Sequence, residues 1–105
     1  MKRLKRRYLA LRLDADIEVG EHEFLDAVWA VVTKLYGEVG ASLAGLALIS
    51  YDVGGKFGVL RVNLGFADNV RTALATMTSI GGKSVAVHVV GVSGTIKGLH
   101  RQFQA

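Results

Sequence analysis

Few side chains in this sequence are of the types that carry out acid–base, nucleophilic or metal chemistry. The 105 residues include no cysteine, which excludes thiolate catalysis and cysteine-based zinc sites. The three histidines, His22, His88 and His100, are not spaced His-x-x-x-His as in zinc hydrolases. No serine lies in a Gly-x-Ser-x-Gly turn. We therefore predict no catalytic residue in this chain and no metal ion or other cofactor bound by the chain itself.

Three acids, Asp14, Asp16 and Glu18, alternate with apolar residues in one short segment. Their carboxylates could collect a divalent cation, because hard cations prefer oxygen ligands. The glycine and the terminal acid of an EF-hand loop are missing, so a solvated acidic loop is the favoured interpretation. Negative charge here also argues against a phosphate cradle between the first strand and the first helix.

Charge is strongly segregated along the chain. Residues 1–12 contain six bases and no acid, residues 13–52 contain eight acids and one base, and residues 53–105 contain six bases and one acid. Two basic ends around an acidic middle indicate a protein that holds a polyanion on one side and a different partner on the other. The alternatives are a solubilising basic tail and an ordinary solvated surface.

Eight basic residues are our candidates for contact with RNA phosphates, with Arg6, Arg7 and Arg12 ranked first. The full set is Lys5, Arg6, Arg7, Arg12, Lys56, Arg61, Lys97 and Arg101. Phosphate contacts depend on salt and read the shape of an RNA more than its base sequence. For these cations to act together, the two ends of the chain must converge in space.

The segment 56–62 resembles the third-strand signature of RNA-recognition domains, but it lacks that signature's stacking aromatics. Val59 stands at a position where an aromatic side chain would stack on a base, and Phe57 is the one aromatic left. We therefore expect phosphate contacts rather than base stacking.

Trp29 and Tyr36 lie at the edge of a wide apolar arc on the first predicted helix. Both are interpreted either as ordinary core residues or as anchors for a protein partner, since large aromatics at a surface groove make strong interface contacts.

The pattern of apolar residues and glycines predicts four strands and three helices. The strands are 7–14, 45–52, 57–64 and 84–92, and the helices are 21–38, 67–80 and a short C-terminal one starting near Ser93 or Thr95. We expect Gly37 and Gly40 to end the first helix and Gly81-Gly82 to end the second. The nearly apolar last strand is expected to be buried on both faces.

This order of elements, βαββαβ, is typical of the α+β ferredoxin-like, or RNA-recognition-like, sandwich. We predict a single domain over residues 1–105, with two helices on one face of an antiparallel sheet and a short C-terminal helix. No apolar run is long enough to span a bilayer and no signal peptide is visible, so we expect a cytoplasmic protein.

Eight short strings of residues, in order along almost the whole chain, resemble those of a known family. They occupy residues 5–10, 27–29, 34–40, 51–52, 58–62, 70–74, 80–82 and 91–97. The last of them, Gly-Val-Ser-Gly-Thr-Ile-Lys after an apolar strand, is the most unusual. On these strings the chain resembles the archaeal ribonuclease P protein component 2 family.

The resemblance implies an RNA-recognition-like fold and a role as a protein subunit of a ribozyme. That ribozyme removes the 5′ leader from precursor tRNA, and its RNA, with bound Mg2+, is expected to hydrolyse the phosphodiester. The chain would then belong to an enzyme only as a subunit. The resemblance also implies ribonuclease P RNA and a TIM-barrel-like protein subunit as partners, a dimer of heterodimers, and indirect contact with precursor tRNA.

Two other classes of function compete with this interpretation. A ferredoxin-like regulatory or dimerisation module would need a glycine-lined effector site, of which Gly81-Gly82 supply only part, and it would leave the basic N-terminal residues without a role. A small ferredoxin-like hydrolase is disfavoured because no anion cradle or activated nucleophile is visible.

Overall fold

The structure is a computed structural model that describes residues 5–103, with side-chain surroundings for residues 5–99. This part of the chain forms five strands and three α-helices. In chain order they are β1 (Arg6–Ala15), α1 (Glu21–Ala44), β2 (Ala47–Asp52), β3 (Phe57–Asn63), α2 (Ala67–Ala75), β4 (Ser79–Ile80), β5 (Lys83–Ser93) and α3 (Ile96–Phe103). A 3-10 turn, Leu64–Phe66, leads into α2. The predicted α+β ferredoxin-like arrangement is confirmed.

The sheet has the strand order β2-β3-β1-β5-β4, and all of its strand pairs are antiparallel. Leu9, Leu11 and Leu13 of the central strand β1 point to one face, as the period of two in the sequence predicts. They join the main core with Phe24 of α1 and Leu74 of α2, all at most 4% exposed. We call this helix-covered side the inner face of the sheet.

The third helix, α3, packs on the opposite, outer face. Leu99 is 1% exposed and joins Ala10 and Val59 in a second, small core, with Tyr8 and Phe57 packed around it. Ala10 lies opposite Val59 on one side and Gly91 on the other. The small size of Ala10 and Gly91 lets α3 approach the sheet closely.

The prediction that the second helix runs to residue 80 was wrong. The helix ends at Ala75, where the Thr76 hydroxyl donates to the Ala73 carbonyl at 2.7 Å and competes with the helical hydrogen bonds. The following residues form the edge strand β4. Gly81 and Gly82, at φ 57° and 81°, make the tight turn into β5, because two successive positive φ angles are what a two-residue hairpin of this kind needs.

The first helix is longer than predicted. Gly37 has non-helical angles of φ 78° and ψ 172°, but the chain resumes its helix and reaches Ala44, with Gly45 as a left-handed cap. Ala41 and Ala44 are buried, 2% and 0% exposed, so burial of this last turn against the core offsets the cost of the break at Gly37.

The prediction that the last strand is buried on both faces was also wrong. In β5 the buried Val85 and Val87 alternate with the exposed Ala86 and His88. The register between β1 and β5 shifts at Ala10/Leu11, which leaves Val90 as an extra residue that is 40% exposed. Among the described residues, no helix has the length and apolar character needed to cross a membrane.

Candidate nucleic-acid interface

The two ends of β1 carry opposite charges. The strand opens with Arg6 and Arg7 just after Lys5, and it closes with Asp14 and Ala15 just before Asp16. Its 10 residues span about 30 Å at roughly 3.3 Å per residue. That separation exceeds the Debye length of about 8 Å at physiological salt, so the two ends present distinct surfaces to a partner.

The basic start of β1 meets the end of β5 and the beginning of α3. Tyr8 lies directly opposite Ser93, and Nη1 of Arg7 lies 3.1 Å from the point that a Cβ on Gly94 would occupy. The Thr95 hydroxyl accepts from the Gly98 amide at 2.9 Å and so caps α3. The early basic segment and the start of the C-terminal helix therefore converge, which the joint action of cations from both ends of the chain requires.

Arg61 joins this basic end across the β1–β3 ladder. Tyr8 lies opposite Arg61 and Arg6 lies opposite Asn63, so Arg6 and Arg61 share the outer face with Tyr8. Arg7 donates from Nη1 to the carbonyl of Arg6 at 3.1 Å, which holds its guanidinium close to the strand. We refer to Lys5, Arg6, Arg7 and Arg61 as the basic cluster.

Arg12 and Lys56 lie away from the basic cluster. Arg12 is exposed on the outer face between Phe57 and His88, about 20 Å from Arg6 at roughly 3.3 Å per residue. Lys56 turns the β2–β3 hairpin with a φ of 53°. Its ammonium donates to the Ala15 carbonyl and its own carbonyl accepts from the Leu13 amide at 2.8 Å. Lys56 thus has a structural role in closing the hairpin.

The remaining two candidates are on α3. Lys97 is exposed in its first turn. Arg101 lies in the same helix, but its side chain falls outside the described residues.

Among the residues whose side chains the structure describes, the centre of the outer face offers no open platform for stacking bases. Leu99 seals Ala10 and Val59, which are 0% and 5% exposed. A nucleic acid that approaches this side meets α3 and the arginines around it. This arrangement favours contacts with the sugar-phosphate backbone, as the missing aromatics in segment 56–62 had indicated.

Two carboxylates near the acidic end of β1, those of Asp52 and Glu23, have hydrogen-bond partners. The Asp52 carboxylate accepts from the Gly55 amide at 3.0 Å. Glu23 pairs with Lys83 at 2.8 Å, and the hydrogen bond from Lys83 lowers the pKa of the Glu23 carboxyl. Within the described residues, no three His, Asp or Glu side chains gather closely enough to hold a metal ion.

Trp29 and Tyr36 are half-buried and pack against the main core. Close by on α1, an apolar stripe is exposed to solvent at Leu35 (43%), Val39 (74%) and Leu43 (55%). The wide apolar arc predicted for this helix is therefore only partly buried: Leu35 is exposed before the break at Gly37, and Val39 and Leu43 are exposed after it.

Comparison with known proteins identifies the family of this fold. Residues 7–104 match the model of the Rpp14/Pop5 family. The chain belongs to the Rpp14/Pop5 family. Curated relatives of this chain carry the name Ribonuclease P protein component 2. The one from Pyrococcus abyssi is 35% identical over 94% of this chain and 84% of its own length. The corresponding protein of Archaeoglobus fulgidus is 36% identical over 96% of this chain and 90% of its own length.

A solved structure shares the fold of this Rpp14/Pop5 chain. A chain in a cryo-EM structure of yeast Ribonuclease MRP superposes with a TM-score of 0.72 at 16% sequence identity, covering 90% of this chain and 78% of that one. The resemblance inferred from the eight strings is thus confirmed. The name of these relatives, a protein component of ribonuclease P, agrees with the expectation that the chain belongs to an enzyme only as a subunit.

Proposed function

We propose that this Rpp14/Pop5 chain is a protein subunit of ribonuclease P that binds and stabilises the catalytic RNA. In this role it serves tRNA processing, as part of the endonuclease that removes the 5′ leader from precursor tRNA. The observation that carries the proposal is the convergence of Lys5, Arg6, Arg7 and Arg61 with the start of α3, in a family whose archaeal relatives are named as ribonuclease P components.

The basic cluster acts by offsetting repulsion between phosphates. A compact RNA brings many phosphates close together, and a set of fixed cations lowers the free energy of that compact form. Arginine suits this task because its planar guanidinium donates two parallel hydrogen bonds to a phosphate. In this proposal the RNA, and not the protein, would hold the Mg2+ that supplies activation of water. The protein residues position phosphates and take no part in proton transfer.

The partner assignments extend the same proposal. Trp29 and Tyr36, beside the exposed stripe on α1, are proposed as anchors for the TIM-barrel-like subunit, with a dimer of heterodimers as the complete protein assembly. Residues 1–105 would act as one domain, in the cytoplasm, with precursor tRNA touched only indirectly. The acidic end of β1 faces away from the basic cluster, which leaves room for a protein and an RNA to bind together.

Binding of the full chain to transcribed ribonuclease P RNA, measured by filter binding at rising salt, tests the proposal. We expect log affinity to fall linearly with log salt, at about 0.7–0.9 per neutralised phosphate. The double variant Arg6→Ala/Arg7→Ala should bind more weakly and reduce the slope by about 2, roughly one per cation removed.

The matched control is Lys34→Ala/Arg71→Ala, which removes two exposed cations from the helical side of the molecule. This control should keep the wild-type slope. Weak binding that does not respond to salt would reject the proposal and would favour a regulatory or dimerisation module.

A further inference from the structure

Three polar atoms at the basic end of the sheet are buried and have no hydrogen-bond partner within the described residues. They are Nε of Arg6, Nε of Arg61 and Oδ1 of Asn63. Such atoms lose their hydration on folding without gaining a bond, which costs stability. A ligand that paired with these atoms would recover that cost, so Arg6, Arg61 and Asn63 are candidate groups for binding a ligand.

The three residues lie next to one another in the sheet. Arg6 is directly opposite Asn63 in the β1–β3 ladder, and Arg61 precedes Asn63 by two residues on β3. Cα atoms directly opposite one another are about 5 Å apart, and side chains two residues apart on a strand share a face. All three residues are half-buried, and their unpaired atoms belong to neighbouring side chains on one face of the sheet.

Asn63 offers its amide oxygen to this patch as an acceptor. Its Nδ2 already donates to the Leu43 carbonyl at the end of α1, at 2.8 Å. Gly45 packs so closely against the Asn63 amide that a Cβ at position 45 would collide with it. The amide is therefore fixed, with its oxygen as the group that needs a partner and a hydroxyl as a suitable donor.

Two guanidinium donors beside one fixed acceptor fit a phosphate with a neighbouring hydroxyl. In a nucleic acid this combination is a ribose-phosphate unit, because the 2′-hydroxyl can donate a hydrogen bond while the phosphate oxygens accept. DNA supplies the phosphate but lacks the hydroxyl.

We propose that Arg6, Arg61 and Asn63 form a ribose-phosphate site that makes the basic end of the sheet selective for RNA over DNA. In this site Arg6 and Arg61 bind the phosphate, and Oδ1 of Asn63 accepts from the 2′-hydroxyl. The inference rests on the proposed function, because it names the chemical unit that the basic cluster recognises.

The test compares three labelled duplexes of one sequence by fluorescence anisotropy with the full chain: natural RNA, 2′-fluoro RNA and DNA. The 2′-fluoro duplex keeps the A-form shape but has no hydroxyl donor. We expect it to bind roughly fivefold more weakly than natural RNA, the equivalent of one hydrogen bond. Equal affinity for natural and 2′-fluoro RNA would overturn the site, whereas no binding of natural RNA even at low salt would overturn the proposed function as well.

Variants assign the effect to residues. Asn63→Leu should bring the ratio of natural to 2′-fluoro affinity close to one, while the control Asn69→Leu in α2 should keep it. Arg61→Lys preserves the charge but lacks the Nε–H donor, so it should weaken RNA binding roughly tenfold, unlike the control Arg71→Lys. A ratio unchanged by a folded Asn63→Leu variant would contradict the assignment. If that variant does not fold, the affinities of the wild-type chain for natural and 2′-fluoro RNA still show whether the 2′-hydroxyl is recognised.

Discussion

At the scale of single residues, Tyr51 shows how a polar group is placed inside a mostly apolar sandwich. Its hydroxyl donates to the carbonyl of Val19 at 2.7 Å. Its ring stacks on Phe24, with centroids 5.2 Å apart. Tyr51 thereby fastens the loop before α1 to the edge strand β2.

Tyr51→Phe removes the hydroxyl and leaves the Val19 carbonyl without this partner. We expect the free energy of unfolding to fall by about 1 kcal/mol, the typical net value of one hydrogen bond. Chemical denaturation monitored by circular dichroism measures it. A variant as stable as the wild type would show that the bond to Val19 contributes nothing.

The same residue makes the free energy of unfolding depend on pH in the alkaline range. Burial, with smaller contributions from the charges of Glu23 and Glu21, raises the pKa of Tyr51 above its usual 10.0. The stabilising contribution is therefore complete below pH 10 and is lost as the pH rises through the raised pKa. In the same denaturation experiment, the wild type should lose stability more steeply above pH 10 than Tyr51→Phe.

At the scale of elements, the sequence predicted most of the strands and helices because their apolar periods are regular. Leu9, Leu11 and Leu13 alternate, and Phe24, Val28 and Val32 recur on a helical face. The end of α2 was missed because Gly-Gly serves equally well as a helix stop and as a hairpin turn. Only the pairing of Ile80 with Lys83 decides between the two.

The position of α3 could not be predicted from the periodicity of its own residues. Its apolar residues show that one side is buried, but they do not show which face of the sheet covers it. That choice depends on Ala10 and Gly91, two residues small enough to leave room on the outer face for Leu99. The grouping of the basic cluster could not be predicted from the sequence either, because the pairing of Arg6 with Asn63 follows from the strand register.

Leu99→Ala tests how α3 is held. Removing a fully buried leucine costs about 3 kcal/mol, and little else in the described part of α3 is buried. We expect α3 to detach locally, with faster amide hydrogen exchange at residues 96–103 and protected amides in β1 and β5. Ile96→Ala, at a side chain that is 36% exposed, is the control and should change exchange little. Loss of protection throughout the sheet would show instead that α3 belongs to the cooperative core.

At the scale of the whole molecule, the proposed function depends on the separation of charge along β1. Composition alone gives a net charge of +4 and conceals this polarity. The fold gathers Lys5, Arg6, Arg7 and Arg61 at one end and leaves Asp14 and Asp16 at the other. The local charge runs could be seen in the sequence, whereas their grouping needed the antiparallel pairing of β1 with β3 and β5.

In the proposed function, this chain braces a catalytic RNA, and magnesium ions held by that RNA would support cleavage of the substrate. The most direct test is the Mg2+ concentration needed for half-maximal cleavage of precursor tRNA by ribonuclease P RNA, reconstituted with the TIM-barrel-like subunit and this chain. We predict that the wild-type chain lowers this concentration, that Arg6→Ala/Arg7→Ala raises it again severalfold, and that the chain without RNA cleaves nothing. An unchanged Mg2+ requirement in the double variant, or cleavage by the protein alone, would contradict the account.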